Sequence, residues 1–323
     1  MRKYRELKKL KKINTACIIS HMNADTDAIA SLFLTRNLLS HLGVKRIDIM
    51  TDTESKLDNY EILGETKHIN ARSVMNYDAV VLVDCANSGR IGKYSNIFNN
   101  AKIKVNIDHH DTNTNEGDIN IVEVVSSTAE ILYRIMRSCG YKFTIQDYNC
   151  IYSGIITDIN NLTVDRLSAD TFNILGKCIA AKINHQLLYK AFFASNNLKT
   201  MYVMGLAIKN TKPYEDGKIL ITRISREEEI ALNSHDEDYE GIINQLARTK
   251  DCELIAFIKP RNDAYYISMR ATGDLDVAQV AINNGGGGHK GAAAFASNAS
   301  LADIEQKVLN DFRQVLQSKQ TID

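Results

Sequence analysis

Along the first half of the chain, short apolar runs alternate with segments of helical periodicity. The runs Thr15–Ser20, Arg46–Met50, Asp78–Val83 and Ile103–Ile107 have the length of strands. Between the first two, Ala28–Leu42 is periodic in the helical sense and stops before Gly43, a residue suited to the left-handed position that follows a helix. Such alternation predicts an α/β fold: a mostly parallel sheet flanked by helices on both faces. From Ser127 to about Ala194 the pattern turns largely helical. Ser127 and Glu130 have the spacing of a reciprocal capping box, opening a helix that runs to Arg137.

The segment Asn210–Lys218 holds one of the chain's 2 prolines and a glycine, and the break between domains is placed there. The expected organisation is a first domain over 1–195, a helical connector over 196–213 and a smaller α/β domain over 214–323. In the last of these, strands are expected at Ile219–Ile224, Leu254–Ile258 and Tyr265–Arg270, with helices at Tyr239–Thr249 and Leu301–Gln317. No internal repeat is visible, and Gly285–Gly288 is the one low-complexity tract.

Bulk properties narrow the classes. A length of 323 residues exceeds that of a usual single domain. No stretch approaches the ~18 unbroken apolar residues of a membrane span. The basic N-terminus leads into too short an apolar run for a secretory signal and is expected to form an amphipathic surface helix. The 6 cysteines are scattered, without a C-x-x-C pair, which suits reduced thiols in the cytoplasm. A formal net charge of zero argues against a protein that coats long nucleic acid through a broad basic face.

Candidate chemistry gathers where apolar runs end. His21, Asp25 and Asp27 follow the first run, Asp84 the third, and Asp108, His109 and His110 the fourth; the apolar stretch Tyr152–Thr157 leads into Asp158 in the same manner. The carboxyl ends of parallel strands line one crevice, so these groups should converge. Taken singly, each has a plain alternative: an aspartate after a strand is commonly a turn or cap residue, and Asp27 could cap the helix beginning at Ala28. Several carboxylates converging without partners would repel one another, so their conjunction implies cations. Mixed carboxylate and imidazole donors suit Mn²⁺, Fe²⁺ or Zn²⁺ better than Ca²⁺. A pair of such ions roughly 3.5–4 Å apart is the usual clamp for phosphoryl displacement.

The blocks His21–Asp27 (HMNADTD), Val83–Arg90 (VDCANSGR), Asp108–His110 (DHH) and Thr157–Asp158 resemble the four motifs of the DHH phosphoesterases. The block Gly285–Phe295 (GGGGHKGAAAF) resembles the glycine-rich signature of the DHH-associated domain. The resemblance covers nearly the whole chain in the same order. It implies two divalent ions, manganese foremost: one held by His21 and Asp25, the other by Asp27, His109 and Asp158, with Asp84 bridging. It also implies that His110 faces the scissile phosphate, that Asp108 orients a neighbouring imidazole, and that Arg90 is a candidate phosphate ligand. In the C-terminal domain, Arg270, Gly285, Gly286, Gly287, Gly288 and His289 would hold the nucleotide end away from the metals, across an interdomain cleft.

The sequence departs from the family pattern at Ala24, Thr26, Ile159–Leu162 and Ala294, and the third of these bears on substrate choice. The expected substrates are short oligoribonucleotides such as pApA, with 3′-phosphoadenosine 5′-phosphate as a further one. A cyclic di-AMP phosphodiesterase is the alternative within the class, and a nucleotide-binding regulator without catalysis the alternative outside it. Expected partners are the short oligonucleotide or mononucleotide substrate and a second copy of the chain in a homodimer, with no membrane and no long double-stranded DNA.

Overall fold

Strand β1, Thr15–Ile19, turns Ala16 and Ile18 to one face and Cys17 and Ile19 to the other, and both faces are buried in apolar clusters. The same division recurs in β3, Ala79–Val83: Ala79, Val81 and Val83 join the larger cluster, Val80 and Leu82 the smaller. A strand buried on both faces reads as a continuous apolar run, which is why these segments stand out in the sequence. The computed structural model describes residues 3–53, 57–71, 76–159, 167–194, 197–273 and 275–320, and the chain divides into two units, Met1–Ser195 and Asn196–Asp323.

In the first unit, β2 (Arg46–Met50), β4 (Ile103–Asp108) and β5 (Ile119–Val122) complete a five-stranded sheet of order β2-β1-β3-β4-β5. Every pairing is parallel. Helices α1 (Thr26–His41), α3 (Thr128–Ser138) and α4 (Ile145–Asp158) carry the larger core on one face. The short helix α2 (Ser95–Asn99) and the 3-10 segment Ser88–Tyr94 cover the other through Ile91, Ile97 and Phe98. Helices α5 (Ala169–Ala180) and α6 (His185–Phe193) follow. The N-terminal segment Lys3–Lys12 is a 3-10 helix that buries Leu7 and Leu10.

From β1 the chain moves outward to β2, then returns to β3 on β1's other side. The connections therefore diverge at the carboxyl ends of β1 and β3, and a crevice opens there. Two local readings are refined. Asp158 ends helix α4 and does not follow a strand. Ser127 does cap α3 by accepting from the Glu130 N–H, but the Glu130 carboxylate does not complete the box. It is held instead by Ser126 Oγ and Arg134, four residues to either side, and by Thr171 Oγ1, which local spacing could not reveal.

The second unit holds α7 (Leu198–Lys209), β6 (Lys212–Tyr214), β7 (Ile219–Arg223), α8 (Arg226–Leu232), α9 (Ile242–Leu246), β8 (Leu254–Arg261), β9 (Ala264–Ala271), α10 (Ala278–Asn283), β10 (Gly287–His289), β11 (Ala292–Ser297) and α11 (Leu301–Gln320). Its sheet runs β10-β11-β9-β8-β7-β6, with β7 and β8 the parallel pair among antiparallel neighbours. Helices α10 and α11 contribute to the core on one face, α7 and α9 to that on the other. Helix α7 lies in the segment expected as a connector, yet its Val203 and Ala207 are buried in this unit's core.

The helix expected over Tyr239–Thr249 shrinks to α9, because Gly241 stands at φ 77°, outside helical geometry. The glycine run is not a free turn. Part of it forms strand β10, where a Cβ on Gly288 would lie 2.4 Å from Ala293 Cα; one on Gly286 would lie 2.1 Å from the Ala294 carbonyl oxygen. Those two glycines are required by the close approach of the chain to β11. All 6 cysteines are free thiols, and among the described residues no helix is long and apolar enough to cross a membrane.

Candidate metal centre

His21 leaves the end of β1, Asp84 the end of β3, and His109 the end of β4, so parallel topology alone brings three donors to the crevice. Asp84 has φ 52°, a left-handed conformation that aspartate tolerates better than most residues, and its N–H is held by the Ile107 carbonyl. The other donors come from helices. Asp25 caps α1, accepting from the Ala28 N–H at 3.0 Å. Asp27, in the first turn of α1, does not cap its own helix. Its two oxygens accept from the Thr128 and Ala129 N–H groups, at 2.7 and 3.0 Å, at the start of α3. Asp158 closes the set from the end of α4.

Distances show how tightly these groups converge. Asp84 Oδ2 lies 3.6 Å from His21 Nε2, while its Oδ1 lies 3.5 Å from His109 Nε2. His109 Nε2 is also 3.3 Å from Asp158 Oδ2. In both histidines Nδ1 faces a backbone carbonyl, Met22 for His21 at 2.7 Å and Val125 for His109 at 3.2 Å. A carbonyl can only accept, so Nδ1 carries the proton and Nε2 turns its lone pair into the cluster. That is the tautomer a metal ligand needs. Donor atoms fall into three sets, each within 4.8 Å: His21, Asp25 and Asp84; Asp27, His109 and Asp158; and Asp84, His109 and His110.

The electrostatics test whether cations suit this arrangement. Asp27 and Asp84 are 1% and 2% exposed. Among the described residues, the ion pairs found for Asp84 and Asp158 involve histidines only. Burial first, then the charges of Asp84, Asp158 and Asp25, holds the Asp27 carboxyl well above the usual carboxylate range. Burial likewise raises Asp158 to about 6, with Asp84 and Asp25 adding to the shift and His109 opposing it. Burial also works against charge on Asp84, but the His21, His109 and His110 imidazoles outweigh it and hold that carboxyl low. A bound cation relieves the repulsion directly, and imidazole with carboxylate is a suitable donor mix for Mn²⁺, Fe²⁺ or Zn²⁺. The residues fit a dinuclear centre.

His110 differs from its neighbour. Its Nδ1 meets Asp108 Oδ1 at 2.7 Å and lies 3.9 Å from Asp84 Oδ1. The hydrogen bond to Asp108 raises its pKa against the lowering effect of burial. Asp108 is fully buried and its second oxygen accepts from Asn113 Nδ2 at 2.6 Å, so the orienting carboxylate is itself oriented. Arg90 is exposed, and it is its carbonyl that meets this region, accepting from the Met22 N–H at 2.6 Å. The atypical residues Asn160–Leu162 lie outside the described residues.

In the second unit, register aligns His289 with Ala292, and Ala292 with Arg270. Residues opposed across strands project to one face, so His289 and Arg270 flank the small Ala292 side chain, about 10 Å apart by the usual strand spacing. The next row along β9 and β11 pairs Ser268 with Ala294. Burial lowers the Arg270 pKa, while His289 is exposed.

Sequence reasoning missed three contributors to the centre. Thr128 Oγ1 donates to Asp84 Oδ1 at 3.0 Å, a contact hidden behind the capping role of Ser127. Asn113 gave no signal. Gly154 did: a glycine inside a helix asks for a packing reason. A Cβ there would stand 2.5 Å from Asp27 Oδ1 and 2.7 Å from Ala129 Cβ.

A parallel sheet with acidic and imidazole donors at its switch point, followed by a second sheet unit with a glycine-rich edge, defines a class. Residues 15–157 match the DHH family, N-terminal domain, and residues 216–319 match the DHHA1 domain. The chain belongs to the DHH phosphoesterase family, hydrolases, as a DHH domain followed by a DHHA1 domain. It is similar to a Streptococcus mutans protein named "Probable bifunctional oligoribonuclease and PAP phosphatase NrnA", 24% identical, over 94% of this chain and 97% of that one. The fold is also that of an exopolyphosphatase-related protein from Bacteroides fragilis, at a TM-score of 0.89 and 21% identity, covering 99% of this chain and 97% of the other. RecJ from Thermus thermophilus, solved in complex with Mn²⁺, shares the fold at a TM-score of 0.58 and 12% identity, covering 98% of this chain and 55% of RecJ.

Proposed function

We propose that this chain hydrolyses phosphoester bonds at the ends of short oligoribonucleotides such as pApA, and removes phosphate from 3′-phosphoadenosine 5′-phosphate, using two divalent ions, foremost manganese. The observation that carries the reading is the pair of donor sets His21, Asp25 and Asp84 on one side and Asp27, His109 and Asp158 on the other, with Asp84 Oδ1 3.5 Å from His109 Nε2 between them. Ions bound there would neutralise charge on the phosphoryl oxygens and lower the pKa of an attacking water.

The chain's own groups have separate tasks. Met22 and Val125 carbonyls fix the tautomers of His21 and His109, so that their Nε2 lone pairs are ready as donors. His110, held by Asp108, keeps its Nδ1 proton engaged and leaves Nε2 to donate a hydrogen bond to a phosphoryl oxygen or to protonate the leaving oxygen. Arg270 and His289 offer cationic and hydrogen-bonding contacts for a terminal phosphate or nucleotide, and the relative named an oligoribonuclease and PAP phosphatase supports substrates of that size.

The test is a screen with Mn²⁺ of pApA, cyclic di-AMP, a five-mer and a fifty-mer RNA, 3′-phosphoadenosine 5′-phosphate and pyrophosphate. Turnover should be highest on pApA and the five-mer at equal concentration of ends. A preference for intact cyclic di-AMP would replace this reading with a cyclic-dinucleotide phosphodiesterase. Nucleotide binding without turnover of any of these would replace it with a regulator.

A further inference from the structure

Thr128 is the residue through which two of the carboxylates are tied to one helix terminus. Its backbone N–H donates to Asp27 Oδ2 at 2.7 Å, and its hydroxyl donates to Asp84 Oδ1 at 3.0 Å. Asp27 belongs to one donor set, and Asp84 to the set of His21 and Asp25 and also to that of His109 and His110. One residue therefore fixes the spacing between the carboxylates on which both sets depend.

The hydroxyl has a task that the backbone cannot perform. The last torsion of an aspartate is a broad well, so packing alone defines the plane of its carboxylate poorly. Asp84 needs that plane fixed, because its Oδ2 faces His21 and its Oδ1 faces His109. A rotation about the last bond would move both oxygens away from both imidazoles at once. The Thr128 hydroxyl occupies one lone pair of Oδ1 and leaves the other toward His109, which sets the rotation.

Thr128 is in turn held. Ser127 caps α3 one residue earlier, and the Glu130 carboxylate, fully buried, is gripped by Ser126, Thr171 and Arg134. The start of α3 is thus anchored on both sides of Thr128, and threonine itself is stiff about its first side-chain torsion.

We infer that Thr128 is a positioning residue, whose hydroxyl orients Asp84 so that the two donor sets can hold two ions together. This rests on the dinuclear reading of the site. Partners beyond the direct ligands of a metal typically contribute about 10–100-fold in affinity or activity. Valine has nearly threonine's shape without its hydroxyl, and serine keeps the hydroxyl without the methyl group.

The test is titration of the full-length, metal-stripped protein with Mn²⁺ alone, followed by calorimetry and by the electron paramagnetic resonance of free Mn²⁺. Thermal unfolding of the same metal-free samples is recorded in parallel. Thr128→Val is expected to bind Mn²⁺ about 10–100-fold more weakly, with the loss concentrated in the second equivalent. Its metal-free unfolding temperature should stay near that of the wild type, and Thr128→Ser should restore most of the affinity. Wild-type affinity in Thr128→Val would overturn the inference and leave the dinuclear reading standing. Equal losses in the valine and serine variants would also overturn it, since the methyl group and not the hydroxyl would then matter. Should Thr128→Val not fold, weakened binding in a folded Thr128→Ser contradicts the inference by itself. Absence of Mn²⁺ binding in the wild type would remove both the reading and the inference.

Discussion

Most donor side chains in the first unit are fixed by a hydrogen bond to a carbonyl, a helix N–H or a hydroxyl, while the candidate anchors of the second are placed mainly by strand register. Asp25 caps α1, Asp27 bridges to α3, His21 and His109 are fixed through Nδ1, and Asp84 is pinned by Thr128. Among the described residues, Arg270 and His289 have no such scaffolding: Arg270 Nη1 meets the carbonyl of its neighbour Met269 at 3.3 Å, and His289 stands exposed at the end of an edge strand. A group that must hold a reacting centre needs its geometry fixed in advance, whereas a group that supplies remote binding energy can tighten on the ligand. The contrast suits catalysis in the first unit and selectivity in the second.

Breaking the first side of this comparison should have the largest effect. Asp84→Ala removes the carboxylate that faces both His21 and His109 and is expected to abolish turnover on every phosphoester tested, with metal content per chain falling as well. Undiminished turnover in that variant, or in the wild type stripped with a chelator, would contradict the assignment.

His110→Ala sharpens the same side, because it separates holding metal from using it. The variant should keep its metal and lose about 10²–10⁴-fold in rate, the usual range for general acid–base groups. Loss of one metal equivalent would instead make His110 a ligand, through the donor set it forms with Asp84 and His109.

On the second side, combined Arg270→Ala and His289→Ala should leave hydrolysis of bis-p-nitrophenyl phosphate nearly intact. On pApA it should lower kcat/KM by a much larger factor, since a hydrogen bond to a charged group is worth about 1.5–3 kcal/mol. Equal losses on both substrates would place these residues in the chemistry or the fold.

The smallest expected effect is a reversal with pH. In the metal-free protein Asp158 has its pKa raised to about 6, and Asp27 is raised as well. A carboxyl with a raised folded-state pKa binds more protons folded than unfolded, so the metal-free protein should gain stability as pH falls from above 6 toward the unfolded value of about 4. His21 and His110 are raised too, and their contribution is likewise lost as pH rises through their folded pKa values. Metal competes with those protons, so Mn²⁺ affinity should fall over the same window. Thermal unfolding between pH 5 and 8, with and without Mn²⁺, checks both signs; parallel curves would show that protons and metal do not share the site.

Much of this centre could be read from the sequence because it is built at strand ends, and doubly buried strands announce themselves as apolar runs. His21, Asp84 and His109 were legible for that reason. Asp158 joins them from the end of a helix, since the apolar run before it is the buried side of α4 and not a strand. The contacts of Thr128 with Asp84 and of Thr171 with Glu130 join residues tens of positions apart, which periodicity does not encode, and Asn113 reaches Asp108 from a loop that has no period. In the second unit the edge strands β6 and β10 are three residues each, too short for alternation to register. The glycine run also carries two requirements at once: Gly286 and Gly288 answer to the packing of β11, while nothing lies within 4 Å of a Cβ on Gly285 or Gly287.

The central claim is that two ions share Asp84. Anomalous diffraction at the manganese absorption edge, on crystals of the full chain grown with Mn²⁺, tests it most directly. The account predicts two peaks roughly 3.5–4 Å apart, one against His21 and Asp25, the other against Asp27, His109 and Asp158, with Asp84 touching both. A single peak, or two peaks of which only one meets Asp84, would contradict it.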